Sequence, residues 1–210
     1  MAHERPRAGS GRQRFLSRDE MRRLIAAATT AYRPALATGL FAGLRVSELL
    51  GLSWDDVDLK EKVLRVRFQM DRAGKREPLK TAAAFRQVVL MWQLGRELRR
   101  ASLASSFSDP GDLVFTTSTG RTLGHRNLTA RGLEKACERA ALSDVTFHAL
   151  RHTFASMLIA KGHDPVFVSR QLGHANPAIT LRVYAHLFDA SRHADRARSE
   201  LEAEFGHMLD

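Results

Sequence analysis

The sequence predicts a mainly α domain with a small antiparallel β-sheet, an α+β fold that extends from residue 15 to residue 210. Apolar residues recur at helical spacing through most of the chain, whereas after Val63 they alternate with polar residues, as on a half-buried strand. Hydrophobic residues make up 44% of the sequence, which is enough to form a buried core. Residues 1–14 are rich in Gly and Arg and are expected to form a flexible basic tail.

The helices are predicted from apolar periodicity and from residues that start or stop a helix. Ser17 begins a capping-box sequence, Ser-Arg-Asp-Glu, ahead of a first helix. Gly43 and Gly51 close the second and third helices, because glycine commonly follows a helix C-terminus. The second to seventh helical runs cover residues 35–41, 46–50, 94–103, 125–141, 147–161 and 165–172. The acidic segment 187–210 is expected to form a C-terminal helical tail with apolar positions at Leu201, Phe205, Met208 and Leu209.

The sheet is predicted between the third and fourth helices. From Val63 to Gln69 apolar and polar residues alternate, so Arg65 and Arg67 share a basic face. Residues 71–74 supply turn residues, and residues 85–92 are a second strand candidate. These segments predict a small hairpin-like sheet, with residues 113–116 as a candidate third strand.

The composition favours a polyanionic partner. Lys and Arg total 33 against 23 Asp and Glu, a formal net charge of +10, which indicates nucleic acid first and an anionic membrane surface second. No apolar run approaches the roughly 18 residues of a membrane-spanning helix, and the N-terminus lacks the apolar region of a secretion signal. The single cysteine, Cys137, cannot form an internal disulfide, and no Cys/His cluster has zinc spacing. We therefore expect a cytosolic protein without a membrane partner.

A His-x-x-Arg pair is the strongest local motif. His148 and Arg151 are three residues apart in a predicted helix and share one face. A histidine and an arginine presented together near a helix start suit the binding of a phosphate. A surface helix with an unrelated basic pair is an equal alternative for this segment alone. A metal site at His148 and His152 is disfavoured, because the glutamate that such helices place between the histidines is absent.

Two further motifs place polar groups at turns. In Gly-Leu-Arg-Val-Ser-Glu-Leu, Arg45 follows Gly43, and Glu48 lies one helical turn on, where it can orient the arginine. The alternative is an arginine that extends from an apolar helix pair to solvent. In Gln-Leu-Gly-His, His174 precedes Tyr184 by ten residues. The alternatives are a histidine stabilised by a helix C-terminus and a core tyrosine.

Together these motifs resemble the catalytic domain of the tyrosine recombinases, the family of phage integrases and chromosome-dimer resolvases. Between residue 15 and about residue 187, four motifs occur in the family's order: the Gly-Leu-Arg-x-x-Glu-Leu turn, a hairpin lysine, His-x-x-Arg, and Leu-Gly-His followed by Tyr. The resemblance implies that family's catalytic-domain fold and a supporting role for Glu48. It also implies six catalytic residues, namely Arg45, Lys80, His148, Arg151, His174 and Tyr184.

The hairpin lysine has two candidates. The family pattern is Lys-Thr, a few small residues, an Arg and an apolar strand, and Lys80 matches it. Lys75 in Gly74-Lys75 resembles a second pattern seen in relatives, but its distance to the following strand fits less well. Phe85 departs from the family, because many members carry a second basic residue there.

The residue types suit attack on a phosphodiester. Arg45 and Arg151 can neutralise the nonbridging oxygens through several N–H donors, and His174 can add another. A free tyrosine has a pKa of about 10, and we expect the cationic pocket to lower the pKa of Tyr184. We expect His148 to be its hydrogen-bond partner or proton acceptor, and Lys80 to be the general acid for the leaving 5′ oxygen. The resemblance implies a 3′-phosphotyrosine intermediate, with no metal or other cofactor.

The implied partner is double-stranded DNA, bound by an enzyme that forms a tetramer on its site, with accessory DNA-bending proteins as further partners at the nucleoid. We expect the C-terminal tail to dock on a neighbouring protomer or on its own domain. Most basic residues of the hairpin and of the following helix should contact phosphates. The candidates are Arg65, Arg67, Arg72, Lys75, Arg76, Arg121, Arg126 and Arg131. For the hairpin arginines and lysine, a solvated strand edge is the alternative.

Two other functions remain open at this point. A type IB topoisomerase uses a similar pocket to relax supercoils, and a non-catalytic DNA-binding protein could retain the scaffold. The Leu-Gly-His motif disfavours the first, and the complete set of catalytic residue types disfavours the second. We also expect no core-binding domain, the helical domain that usually precedes the catalytic one in the family, and therefore weak, salt-sensitive DNA binding.

Overall fold

The computed structural model describes residues 14–81, 84–187, 198–199 and 201–204. Its helices follow the predicted order, and the segment from residue 125 to residue 140 is continuous, with a π-helical stretch at Leu128–Glu134 between α5 and α6. The helices are α1 (Arg18–Ala27), α2 (Arg33–Ala42), α3 (Val46–Leu50), α4 (Trp92–Ala104), α5 (His125–Asn127), α6 (Lys135–Ala140), α7 (Phe147–Ala160), α8 (Pro165–Leu172) and α9 (Pro177–Tyr184). None of the described helices is long and apolar enough to cross a membrane.

Five short strands form two small antiparallel sheets between α3 and α4. The strands are β1 (Val57–Asp58), β2 (Val63–Val66), β3 (Phe68–Met70), β4 (Arg76–Pro78) and β5 (Arg86–Val89). One sheet has the order β1-β2-β5, and the other pairs β3 with β4. After β4 the Leu79 N–H still donates to the Arg67 carbonyl at 3.1 Å. The chain then runs out of the sheet and returns to pair with β2 at Arg86, the partner of Val66. The segment that carries Lys80 is therefore an insertion in the hairpin.

Part of the core lies between α2, which leads into the turn before Arg45, and α7, which carries His148 and Arg151. Leu36, Leu40, Leu150 and Phe154 are at most 3% exposed. Gly39 allows close packing, since a Cβ atom there would lie 3.4 Å from the Leu150 side chain. Burial of such side chains contributes about 1.5–3 kcal/mol each. The C-terminal end of α2 is thereby held beside α7.

Gly43 makes the sharp turn between α2 and α3. It adopts φ 61°, in the left-handed region, and a Cβ atom on it would lie 2.3 Å from the Phe154 ring. An L side chain at this position therefore meets both backbone strain and a clash with the core. The turn places Arg45 at the start of α3.

We predict that Gly43→Ala lowers the free energy of unfolding by about 2–4 kcal/mol, because it combines an unfavourable backbone conformation with overpacking. Urea denaturation measures the loss. Gly74→Ala is the matched control: Gly74 also has a positive φ, but a Cβ atom there would meet nothing within 4 Å. Equal losses in the two variants would contradict the role assigned to the Phe154 contact.

The predicted fold class is confirmed, with local differences. The capping box at Ser17 is present, with Glu20 as its partner. The strand predicted at 85–92 is shorter, because Trp92 starts α4, and residues 113–116 contribute only isolated bridges. The sequence did not predict β1, β4 or α9. The predicted C-terminal tail is helical and exposed at 201–204, whereas Phe205, Met208, Leu209 and the basic tail at 1–13 lie outside the described residues.

Candidate active site

Arg45 is the N-cap of α3 and forms two hydrogen bonds with Glu48. The Arg45 backbone N–H donates to Glu48 Oε2 at 2.8 Å, and Nη1 donates to Oε1 at 2.8 Å. The Glu48 side chain is 1% exposed, whereas the Arg45 side chain is 40% exposed. The buried carboxylate therefore orients an arginine that still presents donors to solvent, as the sequence predicted for this pair.

Arg151 is fixed between two backbone carbonyls. It is 4% exposed, Nη1 donates to the Gly43 carbonyl at 2.8 Å, and Nη2 donates to the Leu172 carbonyl. Burial and the nearby Arg45 lower its pKa to about 9, so the guanidinium remains charged at neutral pH. Arg151 thus joins the turn before α3 to the end of α8 and brings positive charge to their junction.

Arg86 is a site residue that the sequence motifs did not single out. Its side chain is 5% exposed and donates to both Glu48 oxygens, at 3.1 and 2.8 Å. Burial alone would raise the pKa of Glu48, but Arg86, Arg45 and Arg151 outweigh it and hold that pKa below its ordinary value. Its position in the Lys-Thr pattern was the sequence signal that could have identified Arg86 as a site residue.

His174 follows α8 through Gly173, which has φ 63°. Its Nδ1 lies 2.8 Å from Thr180 Oγ1 on α9. Burial, followed by Arg151 and Arg45, lowers the pKa of His174 to about 4, so the ring is neutral at pH 7. A neutral ring whose Nδ1 accepts the Thr180 hydroxyl proton carries its own proton on Nε2, where it can donate to a phosphate oxygen.

Tyr184 ends α9 and is 1% exposed. Its hydroxyl lies 2.7 Å from Nδ1 of His152, one helical turn beyond His148 on α7. His148 itself is exposed, with its ring 5.4 Å from the His152 ring. The expectation that His148 bonds the phenol is therefore wrong for this conformation, because α7 turns His152 towards α9.

Burial also changes the acidity of the phenol. It raises the pKa of Tyr184 to about 12, although the nearby Arg151 acts in the opposite direction. This is opposite to the lowered pKa expected from a cationic pocket. The desolvation of a buried phenolate outweighs one guanidinium, so Tyr184 is in a protected state, with its phenol buried and neutral at pH 7.

Lys80 and Lys75 are both exposed and lie in different parts of the hairpin. Lys80 is on the inserted segment that ends at Arg86, and Arg86 contacts Glu48. Lys75 is on the turn between β3 and β4, where its N–H donates to Asp71 Oδ1 at 2.8 Å. The path of the chain favours Lys80, whose role as general acid stays a prediction.

The predicted phosphate contacts fall into two groups. Arg65, Arg67 and Arg76 are held by carboxylates of the chain: Arg65 pairs with Asp58, and both Arg67 and Arg76 pair with the buried Asp56. These three arginines therefore pair with carboxylates of the same chain, whereas the sequence predicted a basic face without such partners. The other candidates are exposed, namely Arg72, Lys75, Arg121, Arg126 and Arg131.

Arg72 and Arg126 line one cleft of about 750 Å³ between the hairpin turn and the start of α5. Ser47, two residues beyond Arg45, lies on its wall. The cleft therefore lies beside the Arg45 turn and carries two of the exposed basic candidates on its walls.

We predict that the folded protein loses stability as the pH falls from about 6.5 to about 4. The pKa values of His152 and His174 are about 4, below the ordinary histidine value of about 6.5, so the unfolded chain binds protons first. The stability is complete above pH 6.5 and is lost as the pH approaches the folded-state values. Thermal melting at pH 7 and pH 5 measures it, and His174→Gln should flatten the dependence. A melting temperature that rises on acidification would contradict the neutral, half-buried histidines.

The fold and the site define an α+β domain in which three guanidinium groups, two neutral imidazoles and a buried phenol form one cluster of hydrogen bonds and electrostatic interactions. The phage integrase family matches residues 14–191, and the chain belongs to this family.

Among its relatives, the tyrosine recombinase XerC-like protein of Caldanaerobacter subterraneus subsp. tengcongensis is 33% identical over 169 residues, covering 69% of this chain and 43% of that protein. The tyrosine recombinase XerC of Pseudomonas savastanoi pv. phaseolicola is 34% identical over 146 residues, covering 70% and 44%. The crystal structure of XerA recombinase superposes with a TM-score of 0.68 at 28% identity, covering 93% of this chain and 66% of that one. The chain therefore spans less than half the length of these two XerC relatives.

Proposed function

We propose that this chain is a site-specific DNA recombinase that cleaves and rejoins strands through a 3′-phosphotyrosine intermediate, with residues 15–210 as its catalytic domain. The observation that supports it best is that Arg45 and His174 lie close to Arg151, which also acts on Tyr184. Arg151 acts electrostatically on both the Tyr184 phenol and the His174 ring. Kinship with proteins named tyrosine recombinase supports the same activity.

In this proposal, Arg45, Arg151 and His174 bind the nonbridging oxygens of one phosphodiester. They stabilise the charge that develops as the Tyr184 oxygen passes its proton to a histidine of α7, His148 or His152, attacks phosphorus and displaces the 5′ oxygen. Lys80 protonates that oxygen, which an arginine could not do because its proton is held too tightly. The new phosphodiester to tyrosine conserves the bond energy, so a second DNA end can reverse the step.

The proposed substrate is double-stranded DNA, held along the cleft lined by Arg72 and Arg126. Because Tyr184 is buried, the proposed attack requires a state in which its hydroxyl is exposed to the DNA. We propose that a tetramer on the recombination site provides that state, with accessory DNA-bending proteins as further partners at the nucleoid.

The test is a search for the covalent adduct. The protein is incubated with nicked duplexes that together cover the DNA flanking the gene. Cleavage near a nick releases a short strand, and its loss prevents rejoining and traps the cleaved intermediate. The adduct should survive denaturing electrophoresis, and trypsin should release it on the peptide 183–192, which contains Tyr184. An adduct on another peptide, or DNA binding without an adduct, would refute the proposal. Relaxation of plasmids that lack the site would favour a topoisomerase.

A further inference from the structure

A charged cluster behind the site contains an arginine that the proposed chemistry does not use. Arg86 on β5 is buried and donates to both oxygens of Glu48. We propose that Arg86 is a positioning residue, which occupies Glu48 so that Arg45 stays available to the scissile phosphodiester. The inference rests on the proposed function, because it concerns how that reaction's first arginine is aimed.

The contacts at Glu48 show how the carboxylate is shared. Oε1 accepts from Nη1 of Arg45 and Nη1 of Arg86, and Oε2 accepts from the Arg45 backbone N–H and Nη2 of Arg86. Arg45 therefore commits only Nη1 of its side chain to the carboxylate. Its remaining donors lie on a side chain that is 40% exposed, where a diester oxygen can reach them.

Arg86 is itself held in place by the backbone around His174. Its Nε donates to the Gln171 carbonyl at 2.9 Å, and Nη1 donates to the Ala84 carbonyl at 3.2 Å. A Cβ atom on Gly173 would lie 2.8 Å from Nη1, so only glycine leaves room for the guanidinium. These contacts fix Arg86 more firmly than the half-exposed Arg45.

Without Arg86, the geometry at Glu48 would change. A buried carboxylate requires full pairing, and a bidentate arginine is its strongest partner. Arg45 is the neighbour already bonded to it and has the mobility to rotate inward. Its guanidinium would then face Glu48 with two nitrogens and present fewer donors to the diester, which slows the reaction without removing any group that touches DNA.

The test compares Arg86→Met, Glu48→Gln and the double variant in the adduct assay, at a temperature at which melting curves show all of them folded. We expect Arg86→Met to slow adduct formation at saturating DNA by about 10- to 100-fold, the scale of a misplaced reacting group. DNA affinity, measured by fluorescence anisotropy, should stay within about twofold, because phosphate contacts that set affinity lie elsewhere. A purely structural role would lower the melting temperature and leave the saturating rate unchanged.

The double variant isolates the route through Glu48. In the Glu48→Gln background, removal of Arg86 should slow the reaction by no more than about threefold, since no buried charge then competes for Arg45. Neither variant in this comparison leaves a buried carboxylate without partners, so a slowing of tenfold or more within this background would overturn the inference even where Arg86→Met fails to fold. An equal slowing in both backgrounds would overturn the inference.

Arg33→Met is the matched control. Arg33 also pairs with a glutamate, Glu97, and donates to the Ile25 carbonyl, but at the opposite end of α2 from the Gly43 turn. It should leave the adduct rate unchanged. If wild-type protein forms the adduct and Arg86→Met matches Arg33→Met, the inference alone fails. If wild-type protein forms no adduct on any tiled duplex, the proposed function fails and the inference with it.

Discussion

Replacing Arg151 by lysine is expected to reduce adduct formation by about 10²- to 10³-fold, the scale for loss of one fixed donor at a developing negative charge. Lysine keeps a positive charge, but it has one nitrogen and cannot replace a planar group that bridges two carbonyls. The Gly43 and Leu172 carbonyls would both lose their guanidinium partner. Single-turnover cleavage of the nicked duplex measures the catalytic loss.

The same substitution should also lower the free energy of unfolding by about 1–3 kcal/mol, because buried acceptors are left without a donor. Arg45→Lys is the informative comparison. Its side chain is 40% exposed, and its partner Glu48 keeps both bonds from Arg86, so Arg45→Lys should lose a similar share of activity with a smaller loss of stability. An Arg151→Lys protein that melts early but cleaves like wild type would contradict a role for Arg151 at the phosphate.

Local sequence rules predicted the parts of the fold whose signals are local. The capping box at Ser17 and the glycines that follow α2 and α3 all act within one turn of helix, and the structure has each of them. The sheet was predicted less completely. Its strands have two to four residues, and their pairing depends on a chain reversal with an inserted segment, which no periodicity reveals.

The candidate site shows the same division. The Arg45–Glu48 pair spans one helical turn, and its contact was predicted. The partners of Arg86 and Tyr184 were not, because Arg86 meets Glu48 across 38 residues and Tyr184 meets His152 across 32. Contacts at such separations depend on how α7, α9 and β5 pack. The sign of the Tyr184 pKa shift likewise depends on burial, which the motif does not encode.

Tyr184→Phe is expected to abolish the covalent adduct while leaving a folded, DNA-binding protein. The substitution removes the oxygen that attacks phosphorus, and the proposed mechanism has no other nucleophile. It also removes the hydroxyl bonded to His152, at a cost of about 1 kcal/mol, so the melting temperature should change by only a few degrees. Tyr32→Phe is the control, since Tyr32 is the other tyrosine of the chain and should be dispensable for cleavage.

The protected state makes this prediction more specific. With a pKa of about 12, ionising the buried phenol at pH 7 costs about 7 kcal/mol, against about 4 kcal/mol for a free tyrosine. In the proposed mechanism, exposure of the phenol would therefore recover about 3 kcal/mol before any guanidinium acts on the phenolate. Ultraviolet titration of the DNA-free protein should show one of its two tyrosines ionising near pH 12, and that signal should disappear in Tyr184→Phe. If Tyr184 instead ionised near pH 10 without DNA, the hydroxyl would already be exposed, and no release step would precede attack.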